Sequence, residues 1–367
     1  MYKPLFIIIL IFIGFQSKKD YNPMFFNMTD EWREITKDEP VFEFLIKSLD
    51  TTYNTSMSHQ VRLLSNNKGE PRLFFSDIET PVCADGECKL AKIKIYWNLL
   101  GNYVGYGIDG TYPLTKFEHD PFEKADYEKL HKLLLDDNSI LKRRKMSDLI
   151  DEVPVSKPDI VFGRIDAVSG ATKKEVKESV VKGGLYSCHT LWHIVHGEVK
   201  RKIKTYLESI QSEALNNYFL YSPYKDYQLQ ALKQLDKEKF GRDATQIINI
   251  FKTNDAATRN YILKKIPNNF LSNQNTSYQL YSLFPDVDIN SRTLLIEKIK
   301  IANPNVVYIL SNYLDSMTKN QLNQYLKYLQ EDSKKINKEV KSNLIKASKN
   351  KEYVYNYLIK QFLKNAK

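Results

Sequence analysis

The chain has 367 residues, 42% of them apolar and 27% charged, with a net charge of +10. That length and apolar content exclude a disordered chain and a single minimal domain, and they point to two or three folded domains. The charge is uneven: residues 1–200 hold 27 Lys+Arg against 29 Asp+Glu, and residues 201–367 hold 27 against 15. A basic half attracts nucleic acid, an anionic membrane surface or an acidic protein alike. Lys dominates over Arg there and no nucleic-acid motif is present, so solvated Lys-rich helix faces are expected and nucleic acid is not.

Residues 1–17 read as an export signal or a weak N-terminal anchor. Lys3 supplies a positive start, and residues 5–13 form an apolar run too short to span a membrane comfortably. Gly14-Phe15-Gln16-Ser17 follows without a clean small-x-small pattern, so cleavage near Gly14 or Ser17, retention as an anchor and a buried strand all stay open. A periplasmic or cell-envelope location is expected. Three cysteines fit such a compartment. Cys83 and Cys88 flank an Asp85-Gly86 turn signal and form the expected disulfide, a better reading than a two-thiolate metal site. Cys188 is left as a buried free thiol on a helix.

Residues 21–200 are expected to form an α+β domain with a helical lead-in over residues 21–72, whose clearest apolar segment is residues 41–49. A β pattern follows: Ile93, Ile95 and Trp97 alternate with Lys92 and Lys94, and Gly101-Asn102 turns the chain into residues 103–108. A helix is predicted from Pro121 or Glu123 to Leu135, with Phe122, Tyr127, Leu130, Leu133 and Leu134 on its apolar stripe and Asp120 as its cap. A strand at residues 159–162 leads into Asp166-Ala167-Val168-Ser169-Gly170-Ala171-Thr172.

That string places a hydroxyl after a Gly-Ala step and just before a helical segment, residues 173–181. Gly170 allows close backbone approach, and the free amides at a helix start favour an anion. Lys173 and Lys174 add positive charge. The same residues also suit an ordinary capped loop, with Ser169 or Thr172 as N-cap.

The string resembles the flavinylation motif of the FMN-binding domains in the C subunit of the sodium-pumping NADH:quinone oxidoreductase and the G subunit of the Rnf complex. The resemblance implies that Thr172 carries FMN through a phosphodiester bond, with Asp166 as the motif acid and Ser169, Gly170, Ala171 and Lys173 around the cofactor. It also implies a flavin transferase as a partner in biogenesis, unidentified redox proteins as partners in use, and electron transfer rather than substrate turnover. Lys174 stands where the family often has a second hydroxyl, and residues 117–158 stretch the domain. His119-Asp120-Pro121 is similar to a family segment near the flavin, and Tyr96, Trp97, Tyr103 and Tyr106 are ring-contact or core residues, with Trp97 assigned to the core.

A helix over residues 185–199 places His189, His193 and His196 within about 60° of one another around its axis. Such a stripe suits zinc, copper or haem ligation, or simply a polar flank beside Leu191, Trp192, Ile194 and Val195. From residue 201 to 367 the pattern is helical, with helix pairs recurring about every 30 residues, as in a HEAT-like solenoid; a compact bundle is the alternative. The chain is thus read as an exported FMN carrier that docks partners through a basic all-α repeat domain. A non-redox exported scaffold with a degenerate flavin-type domain is the second reading.

Overall fold

A computed structural model describes residues 25–47, 56–84, 87–108, 112–116, 120–144, 179–332 and 335–365. The chain divides into two compact units, Met1–Ile210 and Gln211–Lys367. An antiparallel sheet dominates the described part of the first unit, and the described part of the second is wholly helical.

Among the described residues the sheet has six strands: β1 (Phe25–Phe26), β2 (Ile35–Lys47), β3 (Ser56–Asn66), β4 (Pro71–Ala84), β5 (Glu87–Asn98) and β6 (Tyr103–Ile108). Their order is β1-β6-β5-β4-β3-β2, so β2 to β6 run as a meander and β1 closes on the far edge. The two hairpin turns of β3–β4 and β5–β6 share one device, an Asn followed three residues later by a Gly. The Asn66 carboxamide oxygen accepts from the Lys68 and Glu70 amides, and that of Asn98 from the Leu100 and Asn102 amides. Gly69 and Gly101 close the turns at φ of 78° and 75°, where a side chain would be strained.

The alternation in β5 holds: Ile93, Ile95 and Trp97 are fully buried, and Lys92 and Lys94 stay half-exposed. The opposite face is not polar throughout. Tyr96 on that face is also fully buried, packed edge-on to Phe26 and Trp32 and stacked on Phe75. Residues 21–72 are the main correction to the sequence reading. Beyond the short helix α1 (Thr29–Glu34), the regular structure described in that region is β1, β2, β3 and the start of β4, not a helical lead-in. β2 is an edge strand, so only Phe44 is deeply buried while Leu45 is 56% exposed, and Pro40 sits where an edge tolerates a missing amide. Partial burial blurs the two-residue period from which strands are recognised.

Helix α2 (Lys124–Leu135) buries Tyr127, Leu130, Leu133 and Leu134 as its stripe predicts. Its cap is Glu123 rather than Asp120: the Asp126 carboxylate accepts from the Glu123 amide at 2.8 Å, closing a capping box. A 3-10 turn, Ile140–Arg143, follows. The helix expected over residues 185–199 is two helices, α3 (Leu185–His196) and α4 (Glu198–Ser209), separated at Gly197. A Cβ on Gly197 would overlap the His193 carbonyl oxygen, so the break requires glycine. Gly197→Ala is expected to cost about 1–3 kcal/mol, as overpacking against backbone does, measured as a lower urea midpoint for the first unit.

The second unit contains, among the described residues, helices α5 (Glu213–Tyr221), α6 (Lys225–Gln234), α7 (Lys237–Arg242), α8 (Ala244–Thr253), α9 (Ala256–Lys265), α10 (Asn268–Ser272), α11 (Gln274–Ser282), α12 (Ile289–Glu297), α13 (Val306–Ser311), α14 (Lys319–Gln330), α15 (Lys338–Lys349) and α16 (Asn356–Asn365). Their caps follow from sequence: Ser212, Asp236, Asp255, Asn273, Asp288, Thr318 and Asn337 each accept an amide of the first turn. α8, α11, α13 and α15 each pack on the next in that series, as do α9, α12, α14 and α16 in theirs. Polar ties cross between neighbours at similar sequence separations: Arg259 to Asp288 at 3.2 Å, Gln321 to the Ile289 carbonyl at 3.0 Å, and Asn343 to Ser311 at 2.8 Å. Buried Tyr281, Tyr325 and Tyr353 each donate their hydroxyl to a backbone carbonyl, of Leu295, Val307 and Met317 in turn.

Candidate functional site

The residues implied by the flavin resemblance, Asp166, Ser169, Gly170, Ala171, Thr172 and Lys173, all lie outside the described residues, as do His119 and the strand expected at residues 159–162. The described chain stops at Arg144 and resumes at Ser179. Both flanks belong to the first unit. Arg144 offers its carbonyl to His189 Nε2 at 3.0 Å, and Val180 and Val181 are fully buried just before Gly183 turns the chain into α3 at φ 77°.

Helix α3 is the organising element around these flanks. Helix ends leave carbonyls without intrahelical partners. Three rings of α3 donate to such carbonyls: His196 Nε2 to Leu134 at 2.9 Å, Trp192 Nε1 to Asp136 at 2.9 Å, and His189 Nε2 to Arg144. The end of α3 is itself satisfied from the sheet, because the break at Gly197 frees the Val195 carbonyl and Trp97 Nε1 donates to it at 3.1 Å. The histidine stripe therefore works as a set of ring donors to backbone. His189 and His193 lie against each other with centroids 4.3 Å apart, and no cluster of three or more metal-ligating side chains occurs among the described residues.

Burial pushes all three imidazoles below the ordinary 6.5, and His196 falls to about 4. Carbonyl acceptors and, for His196, Asp136 and Asp137 oppose the shift, while Lys200 adds to it. The folded state thus holds these rings neutral at a pH where the unfolded chain takes protons. Stability contributed this way is intact above about pH 6.5 and is lost as pH falls toward 4. The thermal midpoint of the first unit is expected to drop across that window, and His196→Gln, which keeps an N–H donor, should flatten the slope.

Tyr96, Trp97, Tyr103 and Tyr106 are each at most 5% exposed. Tyr103 shares a 2.9 Å hydrogen bond with His131 Nδ1, and Tyr106 donates to the Tyr127 carbonyl at 2.8 Å. All four are core residues and none presents an open face, so the strand aromatics do not fit as ring-stacking partners. His131, which the sequence reading passed over, stacks on Phe25 at 4.9 Å; its single helical position gave no periodic signal.

The β4–β5 register sets Cys83 opposite Cys88 and Ala84 opposite Glu87. Directly opposed Cα atoms are about 4.5–5.5 Å apart, within disulfide reach. Their side chains are outside the described residues. Cys188 is free and fully buried, its thiol pushed up to about 12 by burial. No helix among the described residues is long and apolar enough to cross a membrane. No known protein family, curated protein or solved structure matches the chain.

Proposed function

We propose that the chain is an exported electron-transfer flavoprotein of the cell envelope, with FMN esterified to Thr172. The observation that carries this reading is the string Asp166…Ser169-Gly170-Ala171-Thr172 in a unit built on an antiparallel sheet with helices on either side of the motif in sequence. Attachment by a flavin transferase forms a bond between the Thr172 oxygen and phosphorus as FAD's diphosphate breaks and AMP leaves. Lys173 then offsets the remaining phosphate charge. When bound, FMN supplies one- or two-electron transfer, and the protein supplies position and retention. The all-helical unit is a HEAT-like solenoid that docks redox partners or an anionic membrane surface through its basic exterior: residues 211–367 hold 24 Lys+Arg against 14 Asp+Glu.

Coexpression with a flavin transferase tests the reading by intact mass and tryptic mapping. The expected result is one FMN, less one water, on the peptide containing Thr172. An unmodified peptide from a colourless protein overturns it. The core placement of Tyr96, Trp97, Tyr103 and Tyr106 favours a second reading, a non-redox scaffold with a degenerate flavin-type domain, which that negative result would select.

A further inference from the structure

The helical unit does not spread its charge evenly. Residues 266–285 contain no charged side chain, and residues 301–314 contain none either. These two stretches meet, because α11 and α13 pack together, and residues from both line a cleft of 280 Å³. Every lining residue is uncharged, in a unit otherwise rich in lysine.

The base of the cleft is held by its own hydrogen bonds. Ser277 donates to the Leu271 carbonyl and accepts from the Asn303 amide, and Asn303 Nδ2 reaches the Ser272 carbonyl at 3.3 Å. Around that base, the Gln274 and Asn305 carboxamides and the Tyr278 hydroxyl make no hydrogen bond among the described residues. Tyr278 is 60% exposed, and Val306 and Ile309 supply apolar wall.

We propose that this cleft binds a neutral oligosaccharide. Carboxamides donate and accept at once, as sugar hydroxyls do, so Gln274 and Asn305 can each answer a hydroxyl in either sense. The open Tyr278 ring offers a flat amphipathic surface to the C–H face of a pyranose. An ionic ligand finds no counter-charge in the lining. The volume lies just below the usual span of ligand pockets, about 300–1,000 Å³, which suits one ring of a longer chain rather than a whole large ligand.

The proposal is independent of the flavin reading and is tested on the full chain. Cellohexaose, chitohexaose, mannohexaose and laminarihexaose are titrated by calorimetry up to about 10 mM, the weak end of specific binding. At least one is expected to bind, with little change on raising salt, since neutral contacts are not screened. Tyr278→Ala should weaken it about tenfold or more, Asn305→Ala should weaken it measurably, and Tyr278→Phe should retain most of it. Tyr278 is an exposed helical position, so Ala there leaves the fold intact. No binding by any of the four, binding indifferent to Tyr278→Ala, or binding lost on raising salt overturns the proposal.

Discussion

Trp97→Ala is expected to remove about 3–5 kcal/mol from the stability of the first unit, the cost of deleting a large buried aromatic side chain. Trp97 is fully buried in β5, across from Phe74 on β4, and its indole nitrogen satisfies the Val195 carbonyl at the end of α3. The substitution therefore opens a cavity on the sheet and orphans an acceptor at the helix break. A domain of ordinary stability, about 5–15 kcal/mol, would lose about a fifth or more of it. Urea denaturation followed by far-UV circular dichroism measures the change. Trp97→Phe, which keeps most of the packing but not the donor, should cost about half as much. Equal losses for the two variants would show that the hydrogen bond, not packing, holds the helix to the sheet.

Under the proposed flavin reading, Thr172→Ala is expected to abolish covalent flavin completely, since no other oxygen of the motif stands in the ester position that the resemblance implies. Thermal unfolding of the same variant, followed alongside, separates loss of the ester from loss of a helix cap, which would cost about 0.5–2 kcal/mol. In-gel flavin fluorescence of denatured protein separates ester from loosely held cofactor. Fluorescence that survives denaturation in Thr172→Ala would place the ester elsewhere, with Ser169 the first residue to examine. Thr172→Ser, which keeps the hydroxyl, should retain part of the modification.

The order of a sheet followed by an all-helical region was legible because both periods survive in local sequence. The Ile93, Ile95, Trp97 alternation marks a strand, and capping residues such as Asp255, Asp288 and Thr318 punctuate the helices. β2 was not legible, because an edge strand with Pro40 and an exposed Leu45 no longer shows a clean two-residue period. Gly197 was not either, since an isolated glycine in a helical run is ordinarily tolerated and its necessity lies in the approach of the His193 carbonyl. The Thr172 string carries its reading in contiguous residues, all of them outside the described ones. The cleft between α11 and α13 does not: Tyr278 and Asn305 come from stretches that carry no motif alone and gain meaning only by packing together. The histidine stripe was visible in spacing, but spacing does not reveal that carbonyls face it.

The two units also differ in when they can close. The cross-helix bonds of the second unit join residues such as Asn343 and Ser311, 32 positions apart, or Arg259 and Asp288, 29 apart. Each helix pair can thus settle against its predecessor as soon as it leaves the ribosome. The meander of the first unit can pair hairpin by hairpin, but its closure cannot be local: β1 pairs with β6, joining Phe25 to Tyr106, and Trp97 waits for Val195, 98 residues later. Contacts that span so much chain form slowly and leave strand edges open meanwhile. The sheet, which begins first, is therefore the part that must wait, and it is the part that a holding chaperone would need to shield.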